Sequence, residues 1–460
     1  MNGYAALPLP HYGAITPILA GSCPRAARQY NAIMIFGIPI RPILLQAFLC
    51  TGFVSLGILC LADDPGDFIW PGWRGADRDG VSHETGWIGD WPKGGPKILW
   101  RAFVGAGFSS FSVDRDRAYT MGHDNGSDTI WRLHLETGEK IWSVSHEAPF
   151  HEVGAEGGPT TTPTLDENLV YTLSRTGHLF CLTSDVGEVV WAKHLVRDCS
   201  VEVPLYGFAG SPLLEGDSLI VDAGVVLAFD KKNGLIQWRT EDYGAAYSSP
   251  VAVEINGNRY LAVFNNRSLV LLEAAGGGFV SSYPWETSSK INVATPIFHD
   301  NKIFISSGFG MGCALLDFST PSLPTLLWKN NNMHTHFNSC VYWDGNLYGF
   351  DGHVTRDEGF LTCLDFEDGS VRWVERGVRK GSLVIASGRI LAMEETGNLI
   401  VAEATPESYD EISRSHVLGG KCWTPPVLAG GRILCRNAAG QVVCLDVRQD
   451  ASFPEPPIQR

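Results

Sequence analysis

Residues 162–191 read TPTLDENLVYTLSRTGHLFCLTSDVGEVVW, and this stretch decides the predicted fold. Short apolar runs alternate with the turn-forming combinations Asp-Glu-Asn, Thr-Gly and Val-Gly, a pattern that predicts short antiparallel strands joined by tight turns. We therefore predict four strands here, of which the third ends at Thr183 and the last ends at Trp191.

The same unit recurs through most of the chain. In each copy a short apolar strand ends in a residue that we use as a mark, which is acidic in seven copies and a threonine in one. The marks lie on average about 44 residues apart, at Glu136, Thr183, Asp230, Glu273, Asp317, Asp365, Glu403 and Asp446. A period of about 40 to 50 residues is typical of the blades of a β-propeller.

Most marks are followed by a glycine turn and then by a strand that ends in an aromatic residue. One blade alone cannot bury both faces of its sheet, whereas a closed ring of blades covers every face. We predict that the tryptophans fill the wedges between neighbouring blades, because an indole is large and mostly apolar. The predicted wedge residues are Trp100, Trp142, Trp191, Trp238, Trp328 and Trp373.

The two ends of the repeat complement each other. The mark at Asp446 has no tryptophan strand after it, and the strand KILW that ends at Trp100 has no mark before it. Joining them completes one blade from both termini. We therefore predict an all-β, eight-bladed β-propeller of four-stranded antiparallel blades, closed by N- and C-terminal strands. Seven blades are the alternative if the weak unit around Glu403 is not separate.

The N-terminal part of the chain has a different composition. Residues 1–62 contain no Asp or Glu, and an apolar run from Pro42 to Ala62 follows Arg41. This pattern predicts an export signal cleaved after Ala62, with an uncleaved membrane anchor as the alternative. We expect residues 63–97 to wrap the outside of the ring, residues 98–448 to form the propeller and residues 449–460 to form a tail. The predicted location is the periplasm or the cell envelope, with membrane contact only through an uncleaved leader.

Charge and cysteine content narrow the classes of partner. The net charge is −15, and no basic run could neutralise successive phosphates, so we expect no nucleic-acid partner. Eight cysteines lie beyond residue 62, and three of them, Cys181, Cys363 and Cys444, hold similar places in the repeat. This favours small buried side chains, with disulfides as the alternative.

The repeat units, together with WPGWRGADRDGVSHETG at residues 70–86, resemble the PQQ-like, or quinoprotein, β-propeller family of exported bacterial proteins. The resemblance covers roughly residues 68–448. In size and leader the chain resembles the lipoprotein that scaffolds outer-membrane β-barrel assembly. The resemblance implies the propeller fold but not one activity, because this fold carries unrelated functions.

Candidate binding residues lie just before the predicted inner strands, where propeller loops gather around one mouth of the central channel. They are Glu152, Glu156, Tyr206, Tyr247, His334, His336, Asn338 and Trp423. His334 and His336 alternate in a strand-like segment and could point the same way, as a metal pair requires. We favour exposed loop histidines and predict no metal, because no third ligand can be assigned.

Three functions are compatible with these observations. We favour an exported, non-catalytic scaffold that binds a protein of the cell envelope, or other ligands, through the loops of one face. The first alternative is a dehydrogenase that uses pyrroloquinoline quinone (PQQ) and calcium to oxidise an alcohol or sugar, as the resemblance implies. The adjacent cysteine pair of those enzymes is absent from the sequence. The second alternative is a carbohydrate-binding module. We assign no catalytic residue and expect no cofactor under the favoured interpretation.

Overall fold

The computed structural model describes residues 69–150, 157–244, 247–352 and 359–449. These residues form 34 strands in eight sheets and one short helix, α1 (Leu195–Cys199). Within the same residues there is no helix long and apolar enough to cross a membrane. The predicted leader and most of the predicted C-terminal tail lie outside the described residues.

Three N-terminal strands, β1 (Ile69–Trp70), β2 (Val81–Ser82) and β3 (Lys97–Phe103), precede the regular repeat. Blades 1 to 4 follow, with β4 (Ser112–Asp114), β5 (Arg117–Asp124), β6 (Ser127–His134) and β7 (Lys140–Glu147); β8 (Thr164–Asp166), β9 (Leu169–Leu173), β10 (His178–Thr183) and β11 (Val189–His194); β12 (Leu213–Glu215), β13 (Ser218–Asp222), β14 (Val225–Asp230) and β15 (Ile236–Asp242); β16 (Val251–Ile255), β17 (Asn258–Phe264), β18 (Ser268–Glu273) and β19 (Phe279–Pro284).

Blades 5 to 7 contain β20 (Ile297–His299), β21 (Lys302–Ser307), β22 (Gly312–Asp317) and β23 (Thr325–Asn330); β24 (Val341–Trp343), β25 (Asn346–Gly352), β26 (Gly359–Asp365) and β27 (Val371–Arg379); β28 (Gly381–Ala386), β29 (Arg389–Glu394), β30 (Asn398–Glu403) and β31 (Glu411–His416). Blade 8 combines β32 (Val427–Ala429), β33 (Arg432–Arg436) and β34 (Gln441–Asp446) with β3. In every blade the first strand of the group is innermost.

The closing blade confirms the predicted join of the two chain ends. Strand β3 pairs antiparallel with β34, which places Trp100 opposite Cys444 and Arg101 opposite Val443. The unit around Glu403 is a separate blade, so the ring has eight blades and the seven-bladed alternative is wrong. The side chain of Arg436 is fully buried and ties blade 8 to blade 1, because Nη1 donates to the carbonyl oxygens of Ser109 and Met121, each at 2.8 Å.

The predicted wedge tryptophans lie at the seams between blades. Five of them pack directly on the glycine turn of the following blade, where a Cβ atom would collide with the indole; the pairs are Trp100 with Gly138, Trp142 with Gly187, Trp191 with Gly234, Trp238 with Gly277, and Trp328 with Gly369. Five of the six wedge tryptophans, all but Trp238, also donate a hydrogen bond from the indole Nε1 to a carbonyl oxygen of the next blade. The pairs are Trp100 with Leu135, Trp142 with Ser184, Trp191 with Lys231, Trp328 with Phe366 and Trp373 with Thr405, at 2.8 to 3.1 Å.

The cysteines add small apolar volume to these sheets. The eight cysteines of the described residues are all buried and free, as the favoured interpretation of the sequence predicted. Cys181, Cys363 and Cys444 belong to the third strand of blades 2, 6 and 8, so they occupy equivalent places in the repeat.

The N-terminal segment does not simply wrap the ring, and here the sequence interpretation needs correction. Strand β1 adds to the inner strand of blade 1, antiparallel to β4, and β2 adds to the inner strand of blade 7, parallel to β28. Residues 69–82 therefore enter the central channel, turn within it and leave again. We call this segment the plug. Beyond it, Trp87 and Trp91 are buried in a core cluster shared by blades 7, 8 and 1.

Two buried arginines hold the plug in place. Nη2 of Arg74 donates to the carbonyl oxygen of Cys340 at 2.7 Å, and Arg78 donates to those of Ser211 and Pro212 at 3.0 and 2.8 Å. Because these acceptors precede the inner strands of blades 6 and 3, the plug spans the channel from one side to the other. Burial lowers the pKa of Arg74 to about 10 and that of Arg78 to about 9.

Candidate functional site

A cavity of about 360 Å³ occupies the mouth of the channel, on the face where each outer strand connects to the next inner strand. The plug forms its floor through Trp73, whose Nε1 donates to Thr295 Oγ1 at 2.8 Å. Its other lining residues are Phe108, Thr160, Arg175, Tyr206, Ala209, Ser211, Tyr247, Ser249, Ser289, Ile291, Val293, Thr295, Phe309, His336, Phe337, Ser339, Trp423, Thr424 and Pro425. Because the plug crosses the channel below it, this cavity opens at the mouth.

Buried hydroxyl groups fix the wall of this pocket. The backbone N–H of Thr162 donates to Ser211 Oγ at 2.9 Å, and the N–H of Ser211 donates to Ser249 Oγ at 3.0 Å. The N–H of Thr295 donates to Ser339 Oγ at 2.9 Å in the same way. Each bond links the start of one inner strand to the start of the next, so the lining is held rigidly without help from a ligand.

Stacked rings form one side of the cavity. Trp423 lies nearly parallel to Phe108 and to Phe337, with ring centroids 5.5 and 4.9 Å apart, and Phe337 stacks in turn on His336 at 4.3 Å. Phe309 meets His336 edge-on. The Trp423 indole is fixed by a 3.0 Å hydrogen bond from Nε1 to Glu395 Oε2. Rigid aromatic surface of this kind favours apolar or aromatic ligands.

Charge is scarce in the lining. Among the described lining residues Arg175 is the only Lys or Arg, and there is no Asp or Glu. Nη2 of Arg175 is held by the carbonyl oxygen of Tyr206 at 2.7 Å. Burial lowers the pKa of Arg175, while Asp128, which is bonded to His123 at 2.8 Å, acts in the opposite direction. The cavity therefore suits an uncharged group better than an ion.

Four of the predicted binding residues come together in this cavity: Tyr206, Tyr247, His336 and Trp423. Tyr206 and Tyr247 meet edge to face with centroids 5.6 Å apart. Asn338 lines a smaller side pocket next to it. Glu152 and Glu156 lie outside the described residues.

His334 and His336 do not behave as a pair. Residues 331–340 form an irregular connection rather than a strand, so the alternation on which the metal argument rested is absent. His334 Nδ1 lies 2.9 Å from Asp351 Oδ1, whereas His336 packs on Phe309 and Phe337. Across the described ranges, no group of three or more His, Cys, Asp or Glu residues is arranged to hold a metal ion.

Sequence reasoning missed several lining residues. In four connections an aromatic residue is followed within two positions by a serine or threonine. The segments are Phe108-Ser109-Ser110, Tyr247-Ser248-Ser249, Phe337-Asn338-Ser339 and Trp423-Thr424. This recurrent aromatic and hydroxyl pair at the entry to an inner strand is a signal that could have found both phenylalanines. Trp73, Arg175 and Phe309 belong to no such pattern, and they come to the mouth only through the fold.

The described lining does not fit the quinone and calcium that the family resemblance implies. A calcium ion requires several oxygen ligands, usually carboxylates among them, and these lining residues include no carboxylate. The indole of Trp423 would serve as the quinone platform, but Phe108 and Phe337 are stacked on it. The Lys421 ammonium also lies 4.4 Å from the centroid of this ring.

Comparison with known proteins places this geometry in a family. The family model described as outer membrane protein assembly factor BamB matches residues 126–375. No curated protein sequence matches the chain significantly.

Among solved structures, BamB from Moraxella catarrhalis is similar with a TM-score of 0.57 and 14% identity, over 78% of this chain and 99% of that one. Quinohemoprotein alcohol dehydrogenase from Comamonas testosteroni is similar with a TM-score of 0.60 and 12% identity, over 84% and 82%. The computationally designed protein Ika8 is similar with a TM-score of 0.57 and 10% identity, over 77% and 100%. These likenesses concern the fold alone. The match over more than half of the sequence shows that the chain belongs to the PQQ-like, BamB-type β-propeller family.

Proposed function

We propose that this chain is an exported, non-catalytic scaffold that binds a protein partner on its mouth face and receives an apolar side chain of that partner in the aromatic cavity. The observation that carries the proposal is the one-sided cavity, floored by the plug and lined by stacked rings without a described carboxylate. A volume of about 360 Å³ suffices for a large side chain or a small ligand.

The rim favours a protein over a small molecule. In the described part of the mouth connections, large apolar side chains are exposed to solvent at Phe150, Val203, Leu205 and Phe337. A small ligand inside the cavity would leave this rim in water, whereas a protein partner would cover it. Aromatic side chains in well-packed pockets are typical of the centres of protein interfaces.

The rigidity of the wall supports the same proposal. The serine and threonine hydroxyls and the plug fix the cavity before binding, so little ordering is required of the scaffold when a partner arrives. The likeness to BamB, an assembly factor of the outer membrane, and the apolar run at residues 42–62 support a place in the cell envelope.

A pair of matched leucines tests the site. Leu205 on the rim and Leu235 on the outer edge of blade 3 are 62% and 63% exposed. A photo-crosslinking amino acid at position 205 is expected to capture one envelope protein that the same group at position 235 does not. With that protein purified, Leu205→Asp should weaken binding by at least about tenfold, and Leu235→Asp should leave it unchanged.

Equal capture from both positions, or equal affinity of both aspartate variants, would remove the mouth as the binding site. The dehydrogenase alternative is tested with the same protein. Stoichiometric uptake of PQQ with calcium, together with dye-linked oxidation of an alcohol, would contradict a non-catalytic scaffold. Binding of glycans in place of a protein would favour the carbohydrate-binding alternative.

A further inference from the structure

A second group of oxygen atoms lies at the mouth end of blades 3 and 4, and none of its members lines the cavity. Asp222 ends β13, Asp242 ends β15, and Asn266 follows β17. Each aspartate carboxylate accepts a hydrogen bond from the backbone N–H of the glycine two residues later in the chain. Gly224 N–H donates to Asp222 Oδ1 at 3.0 Å, and Gly244 N–H donates to Asp242 Oδ1 at 2.7 Å.

The two glycines show how closely these groups approach. A Cβ atom on Gly224 would lie 3.2 Å from Asp242 Oδ1 and 3.1 Å from the carbonyl oxygen of Gly244. A Cβ atom on Gly244 would collide with Asn266 Oδ1. Both positions have positive φ, at 90° and 97°. Glycine at these positions therefore brings two carboxylates, one amide oxygen and one backbone carbonyl into a single small region.

Two of these oxygen atoms lack the partner that burial demands. Asp222 is only 2% exposed, and its Oδ2 has no hydrogen-bond partner in the described structure. Asn266 Oδ1 is also buried there without one. Burial of a carboxylate oxygen without a hydrogen-bond partner costs free energy, and such an oxygen is usually bound to an ion or a water molecule.

We propose that Asp222, Asp242 and Asn266 bind a divalent cation of the Ca²⁺ type, with the Gly244 carbonyl oxygen as a further ligand. Ca²⁺ takes oxygen ligands only, from carboxylates, amides and backbone carbonyls, and tolerates irregular geometry. Two carboxylates balance its charge. Asp242 is exposed, which gives the ion a path of entry and leaves room for water ligands.

The site has a structural consequence that is independent of the proposed function. Asp222 and Asp242 belong to blade 3 and Asn266 belongs to blade 4, so the cation would bind the two blades together. The connection that begins after Asp242 carries Tyr247, which lines the cavity. Ion binding is therefore expected to stiffen this wall of the mouth.

Metal titration of the folded protein tests the proposal. After treatment with EDTA, we expect Ca²⁺ to raise the melting temperature. Tb³⁺, which replaces Ca²⁺, should show saturable luminescence excited through nearby tyrosine and tryptophan and displaced by Ca²⁺. Asp222→Asn and Asp242→Asn should each weaken binding by about tenfold or more, because ligand charge sets affinity at such sites. Asp217→Asn is the matched control, since Asp217 is exposed at the opposite end of blade 3.

Absence of saturable Tb³⁺ binding in the wild-type protein would overturn the proposal. So would binding by Asp222→Asn and Asp242→Asn that equals that of Asp217→Asn. Asp222→Asn removes a buried charge and is expected to be at least as stable as the metal-free wild type. Should that variant fail to fold, exposed Asp242 decides the question, because its substitution leaves the core untouched.

Discussion

The seams between blades and the channel through their centre are closed by different chemistry. At five of the seams an indole lies on a glycine of the next blade. In the channel the plug is held by Arg74 and Arg78, which donate to the carbonyl oxygens of Cys340, Ser211 and Pro212, more than 100 residues away along the chain.

The seams and the plug therefore have different roles, one in the stability of the ring and the other in the shape of the cavity. Apolar burial at a seam stabilises the ring directly, and each seam involves only neighbouring blades. A buried guanidinium that donates to backbone carbonyl oxygens gains little net free energy, because desolvation offsets its hydrogen bonds. We infer that the seams hold the ring together and that the plug mainly determines that the cavity has one opening.

Removal of a seam indole should have the largest effect on stability. Trp142→Ala deletes the ring that packs on Gly187 and its hydrogen bond to the Ser184 carbonyl oxygen. We expect the free energy of unfolding to fall by about 3 to 5 kcal/mol, measured by urea denaturation. Ile141→Ala, on the same strand and 44% exposed, should change it by less than about 0.5 kcal/mol. Similar losses for both variants would contradict the wedge role.

A methyl group on the other side of that seam should have the next largest effect. Gly187 and Gly126 have φ values of 73° and 76°, but a Cβ on Gly187 would lie 2.8 Å from Trp142, whereas one on Gly126 meets nothing within 4 Å. Gly187→Ala should cost about 3 kcal/mol of unfolding free energy, and Gly126→Ala about 1 kcal/mol from backbone strain alone. Equal costs would show that contact with the indole does not matter.

Loss of an arginine from the plug should cost less and act on the channel. Arg78→Met leaves the carbonyl oxygens of Ser211 and Pro212 without these donors, and we expect a loss of about 2 kcal/mol. Limited proteolysis should also cut residues 69–82 faster in this variant. Arg197→Met, at an exposed arginine paired with Asp198, is the control. A variant at position 78 that resists protease like the control would contradict the anchoring role.

The smallest expected effect is on the pH dependence of stability. Burial, and then the neighbouring His178, lower the pKa of His146 to about 4 from its ordinary value of 6.5. The unfolded chain therefore binds more protons than the folded chain between these values, so this contribution to stability is present above about pH 6.5 and is lost as the pH falls toward 4.

The substitution His146→Phe should accordingly reduce the difference between the melting temperatures at pH 7 and pH 5. His83→Phe, at an exposed histidine, should keep the wild-type difference. An unchanged difference in the His146 variant would exclude this histidine as a source of the pH dependence.

Much of the ring could be predicted from sequence because its determinants recur. The marks, the glycine turns and the tryptophan strands repeat about every 44 residues, and the unmatched pieces at Trp100 and Asp446 indicate closure. Residues on loops just before inner strands were predicted to bind ligands, and four of them line the cavity: Tyr206, Tyr247, His336 and Trp423.

The remainder could not be predicted, because it depends on contacts that occur only once. Arg74 and Arg78 bond to backbone carbonyl oxygens, which carry no side-chain signature in a sequence. Nothing in the sequence near Trp73 indicates that it forms the floor of a cavity. The contact between His334 and Asp351 depends on the conformation of one loop. The repeat predicts the frame, whereas the plug and the mouth require the structure.

Hydrogen–deuterium exchange of the peptide that covers residues 69–82 tests most directly whether the chain closes its own channel. The structure predicts exchange as slow as that of the inner strands β4 and β28, because β1 and β2 pair with them and Gly80 N–H donates to the Arg74 carbonyl oxygen. Exchange at the rate of an unstructured peptide would mean that the channel is open at both ends, and the one-sided cavity would have to be abandoned.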